Sequence, residues 1–436
     1  MQEQQLAIIL FACIFILILA GFPVAFTLGG LSVIFGYFTL GVEFFNFLPS
    51  RIMGVMSNYV LIAVPLFVYM GIMLEKSGLA ESLLETMAML FGKIRGGLAI
   101  SVVVVGAMLA ASTGIVGATV ITMGLISLPT MLKRNYSPEL ATGTIASAGT
   151  LGQIIPPSVV LVLLGSVLNV SVGDLFAAAL IPGVLLVFCY VLYVLVIAKL
   201  RPEIAPAIPE EEIDAFKGKG WLGQVIKAFV LPLVLIVAVL GSIFAGIASP
   251  TEAAAVGALG ATLLTLVQGK FTMEVLRQVM YQTTRLTCMV FIILLGATTF
   301  SLVFRGMGGD DYLVEIIQQA NLSANGFLLL VMLVVFVAGF FIDFIEIIFI
   351  IVPVVAPIFE AYDMNLIWIG VLLALNLQTS FLSPPFGFSL FYLKGVAPPS
   401  ITTAHLYRGI VPFVLIQVVF LLLVIFYPSL VLYLVD

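Results

Sequence analysis

Long apolar stretches recur along this chain, each bounded by Gly, Pro or a small charged cluster. They lie near 5–22, 25–41, 58–75, 95–112, 113–132, 175–198, 228–247, 251–268, 286–304, 326–342, 344–361, 364–378 and 409–433. Crossing a bilayer core of about 30 Å takes about 20 helical residues at 1.5 Å each. Several stretches are short or interrupted, so the pattern predicts an all-α polytopic membrane protein with roughly 10 to 13 spans. One substantial polar connection, 199–227, separates a first repeat (1–198) from a second (228–436).

The division is matched by an internal symmetry. Gly152-Gln153-Ile154-Ile155-Pro156-Pro157-Ser158 and Ser380-Phe381-Leu382-Ser383-Pro384-Pro385-Phe386 place two proline pairs 228 residues apart. Pro129 and Pro357 each precede their pair by 27 residues, and Pro23 and Gly30 recur as Pro250 and Gly257 after 227. A duplicated membrane chain with one polar, helix-breaking element in each half is the sequence signature of a secondary transporter, and inverted repeats are the expected form.

Each proline pair ends a helix, because proline removes a donor and forces its predecessor into an extended conformation. The arms on either side have about 10 to 14 residues, or about 15–20 Å, too short to span alone. The expectation is therefore a re-entrant helical hairpin around 141–166 and another around 374–394. At the first tip Ser147, Gly149, Thr150 and Gln153, beside Pro156 and Pro157, offer hydroxyls, close-approach backbone and an amide. At the second, Asn376, Gln378, Thr379, Ser380 and Ser383 stand beside Pro384 and Pro385. Irregular backbone at this depth survives only where it is buried in protein or lines a wet cavity. Broken helix ends there present N–H groups to an anion and carbonyls to a cation. The other reading of either element alone is a proline kink in an ordinary span.

Asp343, in Phe341-Ile342-Asp343-Phe344-Ile345-Glu346, lies between two apolar runs, where a carboxylate costs about 2.5–3.5 kcal/mol. It and Glu346 share a helical face at i, i+3; they either bind a cation or pair with a base such as Arg305. The counterpart stretch in the first half, Ser112-Thr113-Gly114-Ile115-Val116-Gly117, carries hydroxyls and no carboxylate; its small residues also suit plain helix packing. Arg305 is a candidate for an anionic substrate, Arg285 a snorkelling anchor, and Glu252, after Pro250-Thr251, a helix-starting acid.

Composition agrees with the pattern and narrows it. The chain is 62% hydrophobic and 9% charged, with a mean hydropathy of +1.28, against about 25% charged in a soluble domain. Its net charge of −5 is spread over few loops and implies no nucleic-acid partner. Cys13, Cys189 and Cys288 lie in apolar segments and read as small buried hydrophobes. With one histidine, His405, and no second intramembrane Asp comparable to Asp343, neither a zinc nor an aspartyl protease site can be assembled; the chain is not read as an enzyme, and no cofactor is expected. Two unlike elements in one chain also argue against a channel. The polar linker holds five of the 17 basic residues, which places it on the cytoplasmic side.

At Gly149-Thr150-Leu151-Gly152-Gln153-Ile154-Ile155-Pro156-Pro157-Ser158, Ser249-Pro250-Thr251-Glu252-Ala253-Ala254-Ala255, Phe341-Ile342-Asp343 and Ser383-Pro384-Pro385-Phe386-Gly387 the chain resembles the large permease subunit of tripartite ATP-independent periplasmic (TRAP) transporters, in the ion transporter superfamily. The resemblance runs over essentially the whole chain. It implies a multi-pass inner-membrane permease of elevator type, with a small four-helix membrane subunit and a periplasmic substrate-binding protein as partners besides membrane lipid. It further implies sodium as coupling ion and import of a small organic anion of carboxylate type. Carried onto this chain, the sodium candidates are Thr113, Gly114, Ser147, Gly149, Thr150, Asp343, Thr379, Ser380 and Ser383. The substrate candidates are Gln153, Pro156, Pro157, Arg305, Asn376, Gln378, Pro384 and Pro385. Thr113-Gly114-Ile115-Val116-Gly117 departs from the Ser-Gly-Ser-rich sequence of many members. A stand-alone sodium- or proton-coupled symporter or antiporter of the same superfamily is the alternative.

Overall fold

The structure, a computed structural model, describes residues 2–113, 116–216, 218 and 221–435, and every regular element among them is a helix. The first repeat comprises α1 (Gln2–Leu19), α2 (Val24–Thr39), α3 (Leu48–Met56), α4 (Ala63–Lys76), α5 (Leu79–Phe91), α6 (Gly97–Thr113), α7 (Val116–Lys133), α8 (Pro138–Thr150), α9 (Val159–Leu168) and α10 (Val172–Leu200). Short α11 (Glu210–Phe216) belongs to the linker. In the last stretch of the linker α12 (Trp221–Val225) runs through a π-helical turn into α13 (Leu231–Phe244), the first long helix of the second repeat. That repeat continues with α14 (Pro250–Val267), α15 (Met273–Gly306), α16 (Gly309–Gln319), α17 (Ala324–Ala338), α18 (Phe344–Ile350), α19 (Val352–Ala361), α20 (Leu366–Leu382), α21 (Phe388–Val396), α22 (Thr403–Phe426) and α23 (Ser429–Leu432). Helix starts obey capping chemistry. Ser137 and Ser171 accept from Leu140 N and Asp174 N, and Ser249 forms a capping box with Glu252, whose carboxylate reaches back to the Ser249 N–H.

One end of the bundle carries the linker. There Gly96 N donates to Ala205 O (3.0 Å), Ile208 N to Gly92 O (2.8 Å) and Ser137 N to Ile204 O (3.0 Å). The ion pairs Lys93–Glu210 (3.2 Å) and Arg134–Glu212 (2.7 Å) flank these bonds. The linker thus ties the approach to α6 and the exit from α7 to one end, so α6 and α7 form a hairpin with its base at that end. In the second repeat Tyr362 Oη donates to Leu322 O (2.8 Å), and the Phe327 and Phe359 rings lie 4.9 Å apart. These contacts close a second hairpin, α17 against α18–α19, whose outgoing arm bends by 51°.

That second hairpin opens at the other end. Trp368, at the start of α20, donates to Val424 O near the end of α22 (3.1 Å). The start of α22 lies at the linker end, where Gly409 meets the α8 backbone so closely that a Cβ would lie 2.1 Å from Glu139 O. The repeats are therefore inverted. The scaffold obeys the same symmetry: α14 packs along α4 as α15 packs along α2. Amphipathic α5 caps the linker end and α16 the opposite end.

The proline pairs do not turn the chain back. α8 starts at the linker end and α9 finishes with Leu168 against Gly370, near the start of α20 at the opposite end. α20 leaves that end and α21 runs on toward the start of α22, where Lys394 donates to Ile401 O. Each element is one crossing broken at mid-depth, and the hairpins expected around 141–166 and 374–394 are instead the preceding pairs, α6–α7 and α17–α19. The reason is physical: a proline pair ends a helix without setting the direction in which the next one departs. The 13 residues of α8 and 10 of α9 together make roughly one bilayer thickness. Among the described residues, seven helices reach 18 residues with span-like hydropathy, or up to eight counting the bent pair, and six apolar helices are shorter. Traced by direction among those residues, α1, α2, α4, α10, α12–α13, α14, α15 and α22 with the two broken elements give ten crossings.

Basic residues are distributed unevenly between the ends. Among the described residues only Arg51 and Arg305 lie at the end away from the linker. The positive-inside rule assigns the linker end to the cytoplasm. Single cysteines at Ser137 and Ser323, the N-caps at the two hairpin bases, are expected to react with an impermeant thiol reagent from opposite sides of the membrane. Labelling of both from one side would contradict inversion.

Candidate functional site

The inner end of α6 and the turn of the second hairpin each pack on one of the two breaks. The break after α8 packs on α6, where a Cβ at Gly152 would lie 2.5 Å from Ala110 O. The turn of the second hairpin approaches α20 with similar closeness, a Cβ at Gly339 falling 2.1 Å from Ser380 Oγ. Any side chain at either glycine would separate these elements. Aromatic contacts complete the second half: Phe341–Phe386 at 5.2 Å and Phe344–Phe381 at 6.0 Å. Tyr392 of α21 packs against Gly117 near the start of α7, its ring 3.1 Å from where a Cβ there would stand. The peptide bonds Pro156–Pro157 and Pro384–Pro385 are both cis.

The hydroxyls at the breaks are bound to their own helices. Ser147 donates to Gly143 O (2.8 Å), Thr150 to Ser147 O (2.9 Å), Thr379 to Leu375 O (2.7 Å), Ser380 to Leu377 O (2.8 Å) and Ser383 to Thr379 O (2.8 Å). With its proton spent this way, each oxygen keeps lone pairs, the ligand type that hard cations take. Asp343 caps α18, accepting from Phe344 N at 2.6 Å, with Glu346 one turn on. Among the described residues no three His, Cys, Asp or Glu side chains form a metal cluster, so a cation here would draw mainly on neutral oxygens, with Asp343 and Glu346 as the nearby carboxylates.

Two amides behave differently. Gln153 and Gln378 are fully buried, and neither their oxygens nor their nitrogens have a hydrogen-bond partner. A buried amide without partners costs about 1–3 kcal/mol, so such groups call for a ligand or ordered water. Asn376, by contrast, donates to Met332 O (2.7 Å), bracing α20 against α17.

Most candidates from the sequence come together here: Ser147, Gly149, Thr150, Gln153, Asp343, Asn376, Gln378, Thr379, Ser380 and Ser383 all belong to the α8, α18 and α20 termini. Thr113 ends α6, and Gly114 lies outside the described residues. The proline pairs differ: Pro156 and Pro157 are buried, whereas Pro384 and Pro385 are exposed, and Tyr407 at the start of α22 donates to Pro385 O (2.7 Å). The second break is thus open toward the linker end. Arg305 is not part of this constellation. It lies at the opposite end, paired through Nε with Asp310 (3.0 Å), which excludes its pairing with Asp343 or Glu346. One further residue joins the site without a sequence signal, Tyr392. The repeat offset sets Tyr392 against Leu164, so symmetry points away from it.

Replacing Gln378 with Met, similar in shape and free of the amide, is expected to hold or raise thermal stability, by up to about 1–3 kcal/mol. Any stabilisation of the purified protein by sodium or substrate that runs through the amide should be lost. A clear drop in melting temperature would mean that the amide is already satisfied.

Comparison with known proteins agrees with this architecture. A solved structure described as "Crystal structure of the Alcanivorax borkumensis YdaH transporter reveals an unusual topology" superposes with a TM-score of 0.66 over 95% of this chain and 98% of that one, at 14% identity. The likeness concerns the fold alone. The C4-dicarboxylate TRAP transporter large permease protein DctM of Vibrio cholerae is 29% identical over 96% of this chain and 95% of its own. The ectoine TRAP transporter large permease protein TeaC of Halomonas elongata is 28% identical over 96% of each. The family described as tripartite ATP-independent periplasmic transporter, DctM component, matches residues 11–430. With inverted repeats, broken helices and near-complete coverage in agreement, the chain belongs to the large permease subunits of the TRAP transporters, multi-pass proteins of the inner membrane rather than enzymes.

Proposed function

We propose that this permease imports a small organic anion coupled to sodium, by an elevator movement of the body built from the hairpins and broken helices against the α1–α2–α4 and α13–α15 scaffold. The observation that carries the reading is the pair of buried, unpartnered amides, Gln153 and Gln378, set among helix termini from both repeats. Helix N-termini at α9, α18 and α21 supply N–H groups for a carboxylate, and the C-termini of α8 and α20 supply carbonyls and hydroxyl lone pairs for sodium. Asp343 is the one carboxylate at that meeting point that caps a helix there, and its charge would balance a bound cation. Exposure of Pro384 and Pro385 toward the linker end fits a cytoplasm-facing state.

Among the relatives, one is named for C4-dicarboxylates and another for ectoine; both ligands bear carboxylates, which supports an acid or a zwitterion as cargo. Delivery by a periplasmic binding protein, and assembly with a small membrane subunit, belong to the same family reading. The test is uptake by proteoliposomes holding the permease, its small subunit and the loaded binding protein under a sodium gradient. Asp343→Asn is expected to abolish sodium-driven uptake while leaving melting and chromatographic behaviour intact. Unchanged sodium-dependent uptake by that variant would reject the coupling role.

A further inference from the structure

The strongest feature outside the breaks is a cavity of about 740 Å³ at the end away from the linker, well within the range of ligand sites, about 300–1,000 Å³. One wall belongs to the scaffold: Phe47, Arg51, Ser301 and Arg305. The other belongs to the inner body: Ser166 and Asn169 at the end of α9, and Glu360 at the end of α19. The two arginines of the scaffold wall are the two described basic residues at that end of the bundle. Every other described Lys or Arg sits toward the linker end, as the positive-inside rule favours, so two guanidiniums meeting in one cavity call for an explanation beyond membrane anchoring.

The geometry around Arg305 supplies one. Asp310, at the start of α16, takes only Nε. The two terminal nitrogens have no hydrogen-bond partner among the described residues, and Arg51 has no ion pair there. A guanidinium held through Nε keeps its outer N–H groups free, the geometry that recognises a carboxylate with two parallel bonds. Apolar walls from Leu294, Leu302 and Phe349 lower the local dielectric and strengthen that recognition.

We propose that this cavity is a receiving site for a carboxylate-bearing solute on the non-cytoplasmic face, separate from the site at the helix breaks, with Arg51 and Arg305 as its anion-recognising groups and Asp310 positioning Arg305. It rests on the import reading for its biological sense and on the cavity itself for its chemistry. Glu360, carried by the second hairpin on the facing wall, is the group that would take the anion's place against the arginines when the two walls close.

The test reads the local potential directly. In full-length protein in nanodiscs, with Cys13→Ser, Cys189→Ser and Cys288→Ser, a cysteine is introduced as Ser301→Cys. Its labelling rate is measured with an anionic and a cationic methanethiosulfonate of similar size. The anionic reagent is expected to react about three- to tenfold faster, as a local potential of one to a few kT produces. Succinate or ectoine should slow labelling. Arg51→Gln with Arg305→Gln should remove both the preference and the protection, and Arg51→Lys with Arg305→Lys should keep the preference. Equal rates for the two reagents, or protection by neither solute, in protein whose melting is normal would overturn the proposal. Loss of sodium-driven uptake with preference and protection intact would reject the import reading and leave the receiving site standing.

Discussion

The hydrocarbon core of a membrane offers no partner to a free backbone N–H or C=O, and the architecture of this chain is shaped by where it breaks that rule. Helix ends at mid-depth occur at both proline pairs and at the Asp343 turn, each tolerable only inside protein or against water. The inner body answers by gathering these interruptions in one place. Close packing at Gly152 and Gly339, hydroxyls bonded back to their own carbonyls and the Asp343 cap absorb most of the exposed polarity. The unpaired chemistry of Gln153 and Gln378 is left over, and that remainder is the proposed transport site.

Much of this is legible in the amino-acid pattern. The span positions track hydropathy closely, and the 228-residue offset reveals the duplication and pairs Pro156–Pro157 with Pro384–Pro385. The hairpins lie elsewhere than that pattern suggests, for a specific reason. Apolar runs and proline pairs report where a helix stops, not which way the chain leaves, and α8 with α9 would read the same as a hairpin or as one broken span. Direction is decided by contacts between distant residues, such as Ser137 with Ile204 or Trp368 with Val424, which no local pattern records. Arg305 shows the same limit: its neighbour in sequence, Asp310, takes it, and the carboxylates near mid-depth do not.

The two halves are alike in backbone and unlike in chemistry. Position 115, the counterpart of Asp343, is isoleucine, and the exposed prolines of the second break correspond to buried ones in the first. Symmetry builds two similar frames, while the charged group stands in only one. In the proposed transport site this would separate duties: both halves supply helix ends, and the second alone supplies the charge.

The linker adds a difference of another kind. Its backbone holds both ends of the first hairpin at Gly92, Gly96 and Ser137, with ion pairs outside those bonds, whereas the second hairpin is closed at its base by a side-chain bond from Tyr362 and ring contacts. A pull along the segment that joins the two halves therefore reaches the first hairpin directly, through backbone bonds at both of its ends, and the second only through the rest of the body.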